Sequence, residues 1–238
     1  MTNIYNEIIQ SKVERQKLLA ILLDPDKVVL ENLSDLISKI NQSPATHIFI
    51  GGSQVTTTIL DELIVKIKQN CSLPIVLFPG NPSQISAEAD AILFLSLISG
   101  RNPDYLIEHQ VNAVRILKQT NLEVISTGYI LIESGNETAV ERVSKTKPLD
   151  RNNIDYIIQT AQAGEMLGNK LIYLEAGSGA TQAVSREMIQ KVVQNIEIPV
   201  LVGGGIADLQ GIQKAYEAGA DLVVIGTAFE NDINFFYQ

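Results

Sequence analysis

The chain has 238 residues, 45% of them hydrophobic, and a formal charge of −9 at pH 7. That length suits one compact domain spanning 1–238 with a sizeable core, and so acidic a chain presents neither a nucleic-acid surface nor a polybasic membrane anchor. One cysteine, Cys71, rules out an internal disulfide framework and fits a reducing compartment.

The start, MTNIYNEIIQSKVERQ, is polar and amphipathic and lacks a signal peptide's apolar core. No apolar run approaches the roughly 20 residues of a membrane span, so a cytoplasmic protein without a transmembrane segment is expected. Eight short apolar runs then follow: LLAILLD (18–24), HIFIGGS (47–53), PIVLFPGN (74–81), AILFLSL (91–97), EVISTGYILI (123–132), LIYLEAG (171–177), PVLVGGGI (199–206) and LVVIGTA (222–228). Each is continuous rather than alternating, the pattern of strands buried on both faces of a parallel sheet. Between them, residues 30–40, 55–69, 103–119, 153–168, 185–196 and 208–219 place apolar side chains at helical spacing. Strand and helix alternating eight times predict a (β/α)8 TIM barrel, with a doubly wound sheet as the alternative.

Two gaps break this rhythm. Only PSQISAEAD separates the third strand from the fourth, too little for a full crossover helix, so the third helix is expected to be reduced or replaced. After the fifth strand lie some twenty residues, ESGNETAVERVSKTKPLDRN; a loop of that length is usually functional, and NETAVERVS reads as a short helix within it.

In such a barrel the carboxyl ends of the strands carry the chemistry. Polar and glycine residues gather there: Asp24, Gly51-Gly52-Ser53, Gly80-Asn81, Ser96 to Ser99, Tyr129, Glu175, Gly203-Gly204-Gly205 and Gly226-Thr227. The loops AGSGA, GGGI and GTA end the last three strands, and small residues let backbone N–H groups approach a phosphate. An acidic protein needs such local neutralisation for an anionic substrate. Asp24, closing a buried strand, needs a partner; with the Ser53 hydroxyl it suits Mg2+, which takes few protein oxygens and keeps positions for water and phosphate, while Asp26 suits a helix N-terminus. Glu175 has two readings, a general base for an alcohol or a structural acid paired with Lys or Arg. Tyr173, two residues back, faces the same side. His47, His109 and Cys71 read as structural. Phe94, Leu95, Leu97, Ile98 and Tyr105 form an apolar group that is either core or the wall of a groove for a hydrocarbon chain.

Taken together, LLDPDK, IGGS, LFPGN, GYILI, YLEAGSGA, LVGGGI and VVIGTA resemble the geranylgeranylglyceryl phosphate synthase family, including its heptaprenylglyceryl phosphate synthase relatives. The resemblance implies a barrel with its third helix replaced, and transfer of a prenyl group from a prenyl diphosphate to sn-glycerol 1-phosphate. It implies Mg2+ on Asp24 and Ser53; glycerol phosphate on Tyr173, Leu174, Glu175, Ala176, Gly177, Ser178 and Gly179, with Gly204, Gly205, Gly226 and Thr227 around its phosphate; and Glu175 on the attacking C3 hydroxyl, so that Glu175 and Asp24 are the expected catalytic pair. Homo-oligomers are a further expectation of the family, and a lipid product would bring a protein without an anchor into peripheral membrane contact. Where some bacterial relatives carry a lysine two residues before the metal-binding aspartate, this chain has Leu22, which points to a geranylgeranyl rather than a heptaprenyl donor. A phosphosugar isomerase barrel would share the phosphate loops, but it needs an acid at the end of strand five, where this chain has Tyr129.

Overall fold

The computed structural model describes residues 3–237. Eight parallel strands close into a barrel in sequence order: β1 (Leu18–Leu23), β2 (His47–Ile50), β3 (Ile75–Leu77), β4 (Ala91–Leu97), β5 (Glu123–Leu131), β6 (Leu171–Glu175), β7 (Val200–Gly203) and β8 (Leu222–Ile225). Closure is made by β8 on β1, with Leu18 opposite Leu222 and Ile21 opposite Ile225. The (β/α)8 expectation holds, and the doubly wound alternative does not.

The continuous apolar runs are explained by two cores, one on each side of the sheet. Leu18, Ala20, Phe49, Val76, Leu93, Ile125, Tyr129, Tyr173, Leu201 and Val224 fill the barrel interior. Their neighbours Leu19, Ile21, Leu23, Ile48, Ile50, Ile172, Leu174 and Val202 pack outward beneath the helices. The outer layer comprises α2 (Leu33–Gln42), α3 (Leu60–Lys68), α4 (His109–Leu117), α6 (Ile154–Met166), α7 (Arg186–Val193) and α8 (Leu209–Glu217). The amphipathic start forms α1 (Ile4–Glu14), whose Ile4 and Ile8 are buried with the interior cluster. The Glu123 carboxylate, at the amino end of β5, receives the Ile4 and Tyr5 N–H groups at 2.6 and 3.0 Å. This helix therefore plugs the barrel at the end opposite the glycine-rich loops.

Between β3 and β4 only a 3-10 turn, Pro82–Gln84, stands where a third crossover helix would. The long segment after β5 carries α5 (Ala139–Ser144), capped by the Thr138 hydroxyl, as the spacing predicts. Two helix starts differ from expectation. Spacing predicts a helix from residue 55, but α3 begins at Leu60. The β-branched threonines before it are poor helix formers, and the Thr56 and Thr57 N–H groups donate instead to the Asp26 carboxylate at 2.8–3.1 Å. Asp26 thus anchors a neighbouring loop rather than its own helix, and those bonds, with Thr56 first, hold its carboxyl below the ordinary range. The fourth helix opens with a π turn, Asp104–Glu108. It is pinned to β4 by the Ser96 hydroxyl donating to Leu106 O and by the Gln110 amide donating to Leu95 O.

The residues read as structural lie as expected at the far end or in the outer layer. His47 is buried at the start of β2, where burial lowers its pKa to about 4, and Cys71 is buried in the outer core. His109 differs: its ring meets Tyr105 edge-on at 4.6 Å and borders an apolar groove.

Candidate active site

At the carboxyl ends of the strands lies a cavity of about 570 Å³. Of the expected residues, Asp24, Ser53, Tyr173, Glu175, Gly177, Ser178, Gly179, Gly204, Gly205, Gly226 and Thr227 all line it. Leu174 and Ala176 do not. Strand alternation turns their side chains into the outer core, and the Ala176 N–H is used by Gly203 O at 3.0 Å.

The side formed by β6, β7 and β8 is built largely of backbone. Gly204 has φ +78°, a left-handed conformation that suits glycine, and a Cβ there would lie 2.1 Å from Glu175 Oε1 and 2.5 Å from the Gly177 nitrogen. Only a glycine lets the β7 turn come this close to the end of β6. In the same wall the Ser178 and Thr227 hydroxyls stand 3.3 Å apart, joining the loop after β6 to α9 (Thr227–Asn231), which follows β8.

Glu175 sits at the floor of this wall, 5% exposed. Its Oε1 accepts the Gly177 N–H at 2.6 Å, and among the described residues no Lys or Arg pairs with it. The structural-acid reading therefore lacks its partner. Burial raises the carboxyl to about 7, against the opposing pull of the Gly177 N–H and the nearby Tyr173 phenol. The Tyr173 hydroxyl is itself buried, beside Glu175 but short of hydrogen-bonding geometry with it. A carboxylate that ionises near neutrality is matched to accepting a proton from an alcohol.

Across the cavity the polar groups are side chains. Asp24 follows β1, with its carboxylate against Gly52: a Cβ on that glycine would meet the Asp24 carboxyl carbon at 3.4 Å. Ser53 is the next residue. Burial raises the Asp24 carboxyl, and the Asp26 N–H and the Lys27 ammonium partly offset that rise. Lys27 lies 3.9 Å from Asp24 and 2.7 Å from Glu230. Glu230, on α9, also accepts the Asp24 N–H at 3.2 Å. Sequence spacing missed this acid, because barrel closure alone brings the last helix beside the end of β1. Among the described residues no three His, Cys, Asp or Glu side chains converge on a metal position. A divalent cation at Asp24 and Ser53 would thus draw most of its ligands from phosphate oxygens and water, which is how Mg2+ is usually held.

From Ser53 a narrow apolar groove leads away over β3 and β4, with about 110 Å³ of free volume. Phe94, Leu95, Leu97 and Tyr105 line it as expected, and Ala113 and Val140 join them. Ile98 does not: its side chain packs between Gly128 and Gly164, outside the barrel. The truncated third crossover leaves the groove's start bounded by Pro79, Gly80, Asn81 and Pro82 rather than by a helix. Phe78 and Tyr129 border both the groove and the cavity, and their rings meet that of Tyr173 at 5.3 and 5.4 Å. An aromatic junction thus separates the polar and apolar spaces. Tyr129 stands where an isomerase barrel would need an acid.

The likeness to known proteins covers nearly the whole chain. A geranylgeranylglyceryl phosphate synthase of Flavobacterium johnsoniae is 71% identical over 236 residues, covering 99% of this chain and 97% of that one. One from Pyrococcus furiosus is 41% identical, covering 94% of this chain and 88% of that one. The crystal structure of (S)-3-O-geranylgeranylglyceryl phosphate synthase from Thermoplasma acidophilum with sn-glycerol-1-phosphate superposes with a TM-score of 0.93 at 30% identity, covering 100% of this chain and 95% of that one. The PcrB family model matches residues 11–238, and the chain belongs to the PcrB family, with the geranylgeranylglyceryl phosphate synthases as its relatives.

Proposed function

We propose that this protein transfers a geranylgeranyl group from geranylgeranyl diphosphate to the C3 hydroxyl of sn-glycerol 1-phosphate, with Mg2+, to make an ether-lipid precursor. One observation carries the reading. A buried carboxylate with no cationic partner among the described residues lies beside a glycine-built cavity from which an apolar groove departs. The names of the relatives and the bound ligand of the Thermoplasma acidophilum structure support the same substrates.

The acceptor's phosphate is held by the turns at Ser178–Gly179, Gly204–Gly205 and Gly226–Thr227, whose N–H groups and hydroxyls supply donors without a cationic side chain, while the Gly177 N–H stays on Glu175. Its C3 hydroxyl then faces Glu175, which takes the proton as the ether bond forms. Asp24 and Ser53 would hold Mg2+, which when bound would neutralise charge developing on the departing diphosphate. Phe78 and Tyr129 exclude water from the allylic carbon and present ring faces to it as it becomes electron-poor. Holding alcohol and carbon in contact supplies much of the acceleration. The groove binds the tail, at about 0.8 kcal/mol for each buried CH₂. Leu22, where a lysine marks some longer-chain relatives, supports the geranylgeranyl donor.

No helix among the described residues is long and apolar enough to cross a membrane. We read the protein as cytoplasmic and homo-oligomeric, touching a membrane only peripherally to deliver its lipid product. Incubation with sn-glycerol 1-phosphate, Mg2+ and prenyl diphosphates of graded length, with products identified by mass, tests the reading. A geranylgeranyl ether of glycerol phosphate is the expected product. A product only from longer donors would reassign the tail, and no ether at all would refute the transfer.

A further inference from the structure

The rim cavity is lined by three carboxylates, those of Asp24, Glu175 and Glu230, and among its lining residues Lys27 is the only lysine or arginine. A cavity that takes a diphosphate beside a phosphate ester is therefore short of positive charge. The one ammonium is also engaged already. Lys27 Nζ lies 2.7 Å from Glu230 Oε2 and 3.9 Å from Asp24 Oδ2. Its backbone N–H donates to Asp24 O at 2.9 Å, which ties the residue to the end of β1. Glu230 is 14% exposed at its side chain, and its other oxygen accepts the Asp24 N–H at 3.2 Å. The acid is thus fixed from two sides, and its stronger contact is with the lysine rather than with any group expected to react.

We propose that Glu230 is a positioning residue that holds Lys27 away from the donor's diphosphate until a divalent cation arrives, and so makes donor binding depend on the metal. The inference rests on the reading of Asp24 as the carboxylate that holds Mg2+. Asp24, Glu230 and Lys27 together carry one net negative charge, which repels a metal-free diphosphate. A divalent cation at Asp24 reverses that sign. It also competes with Lys27 for the two carboxylates, freeing the ammonium to turn toward the diphosphate oxygens. Removing the charge of Glu230 leaves a neutral pair and an unguarded lysine, so diphosphate binds without metal.

The test is calorimetric titration of the whole chain with inorganic pyrophosphate, with and without Mg2+. Glu230→Gln should tighten metal-free pyrophosphate binding by ~10-fold, the size of one unit charge removed at close range in water-like surroundings. Binding in Mg2+ should change by less than about 3-fold. Adding Lys27→Gln to that variant should abolish the gain. An unchanged metal-free affinity, an equal shift in both arms, or a gain that survives loss of Lys27 would overturn the proposal. A melting curve of each variant identifies any that misfold. Should Glu230→Gln be among them, Lys27→Gln alone decides the matter: it should weaken binding in Mg2+ by ~10-fold and spare sn-glycerol 1-phosphate, and no weakening would overturn the proposal. Asp24→Asn judges the underlying reading separately. If Mg2+ still strengthens pyrophosphate binding fully in that variant, Asp24 is not the metal carboxylate, whatever the Glu230 arm shows.

Discussion

The two halves of the rim solve the problem of binding anions in an acidic chain by different means. On the β6 to β8 side the wall is backbone and small residues, and its one carboxylate is buried and held by an N–H group. On the β1 to β4 side the polar groups are the side chains of Asp24 and Lys27, more exposed than Glu175 and linked through Glu230. Backbone donors are fixed once the barrel closes, whereas side chains can exchange partners when an ion arrives. In the transfer we propose, the first half would suit one small, unchanging acceptor, and the second a charged head that must arrive and then leave as diphosphate.

The contrast can be broken at its most rigid point. Gly204→Ala should lower turnover the most, by ~10⁴-fold, because the added Cβ meets both Glu175 and the Gly177 nitrogen, removing base geometry and phosphate cradle together. Steady-state rates with saturating donor test this, and wild-type activity would refute the rigid wall. Asp24→Asn should cost ~10³-fold in Mg2+-dependent turnover while glycerol phosphate affinity, read by calorimetry, changes little. An equal loss of acceptor binding would mean that the halves are not separate.

Glu175→Gln should lower kcat by about 10²- to 10³-fold with a smaller change in acceptor KM. In the wild type, kcat should rise with pH through about 7 as the carboxyl loses its proton, and the variant should lack that limb. Stability runs the other way. The folded carboxyl ionises about 7, above its ordinary 4.5, so its contribution is fully present below 4.5 and lost as pH rises through 7. Above that pH the Gln variant should be more stable than wild type, by on the order of 3 kcal/mol in denaturant unfolding. A variant that is less stable at every pH would mark Glu175 as structural. The smallest effect belongs to the groove. Ala113→Phe, filling its wall, should raise KM for the geranylgeranyl donor about 10-fold and spare shorter donors, since each excluded CH₂ forfeits about 0.8 kcal/mol.

Much of this was legible in the chain itself, for identifiable reasons. Doubly buried parallel strands leave continuous apolar runs, and PSQISAEAD is too short to hide a crossover helix, so the barrel and its missing third helix could both be read. Asp24 and Glu175 were visible because each interrupts an apolar run at its carboxyl end. Three features were not visible, since each depends on residues far apart in sequence. Glu230 meets Asp24 across 206 positions, through the β8–β1 seam. The threonines before α3 kept helical spacing, yet Asp26 claimed their N–H groups. Ile98 shares its apolar character with Leu97, but the end of β4 turns it to the other side of the wall.

The 3-10 turn at Pro82–Gln84 has one more consequence. By leaving a gap in the ring of helices, it would let the long donor of the proposed transfer leave the barrel mouth sideways over β3 and β4 instead of running down the axis. Residues at the far end of the groove, such as Ala113, would then measure the tail away from Glu175 and Asp24. Selection can lengthen or shorten the accepted chain by remodelling that flank, while the reacting end keeps its geometry.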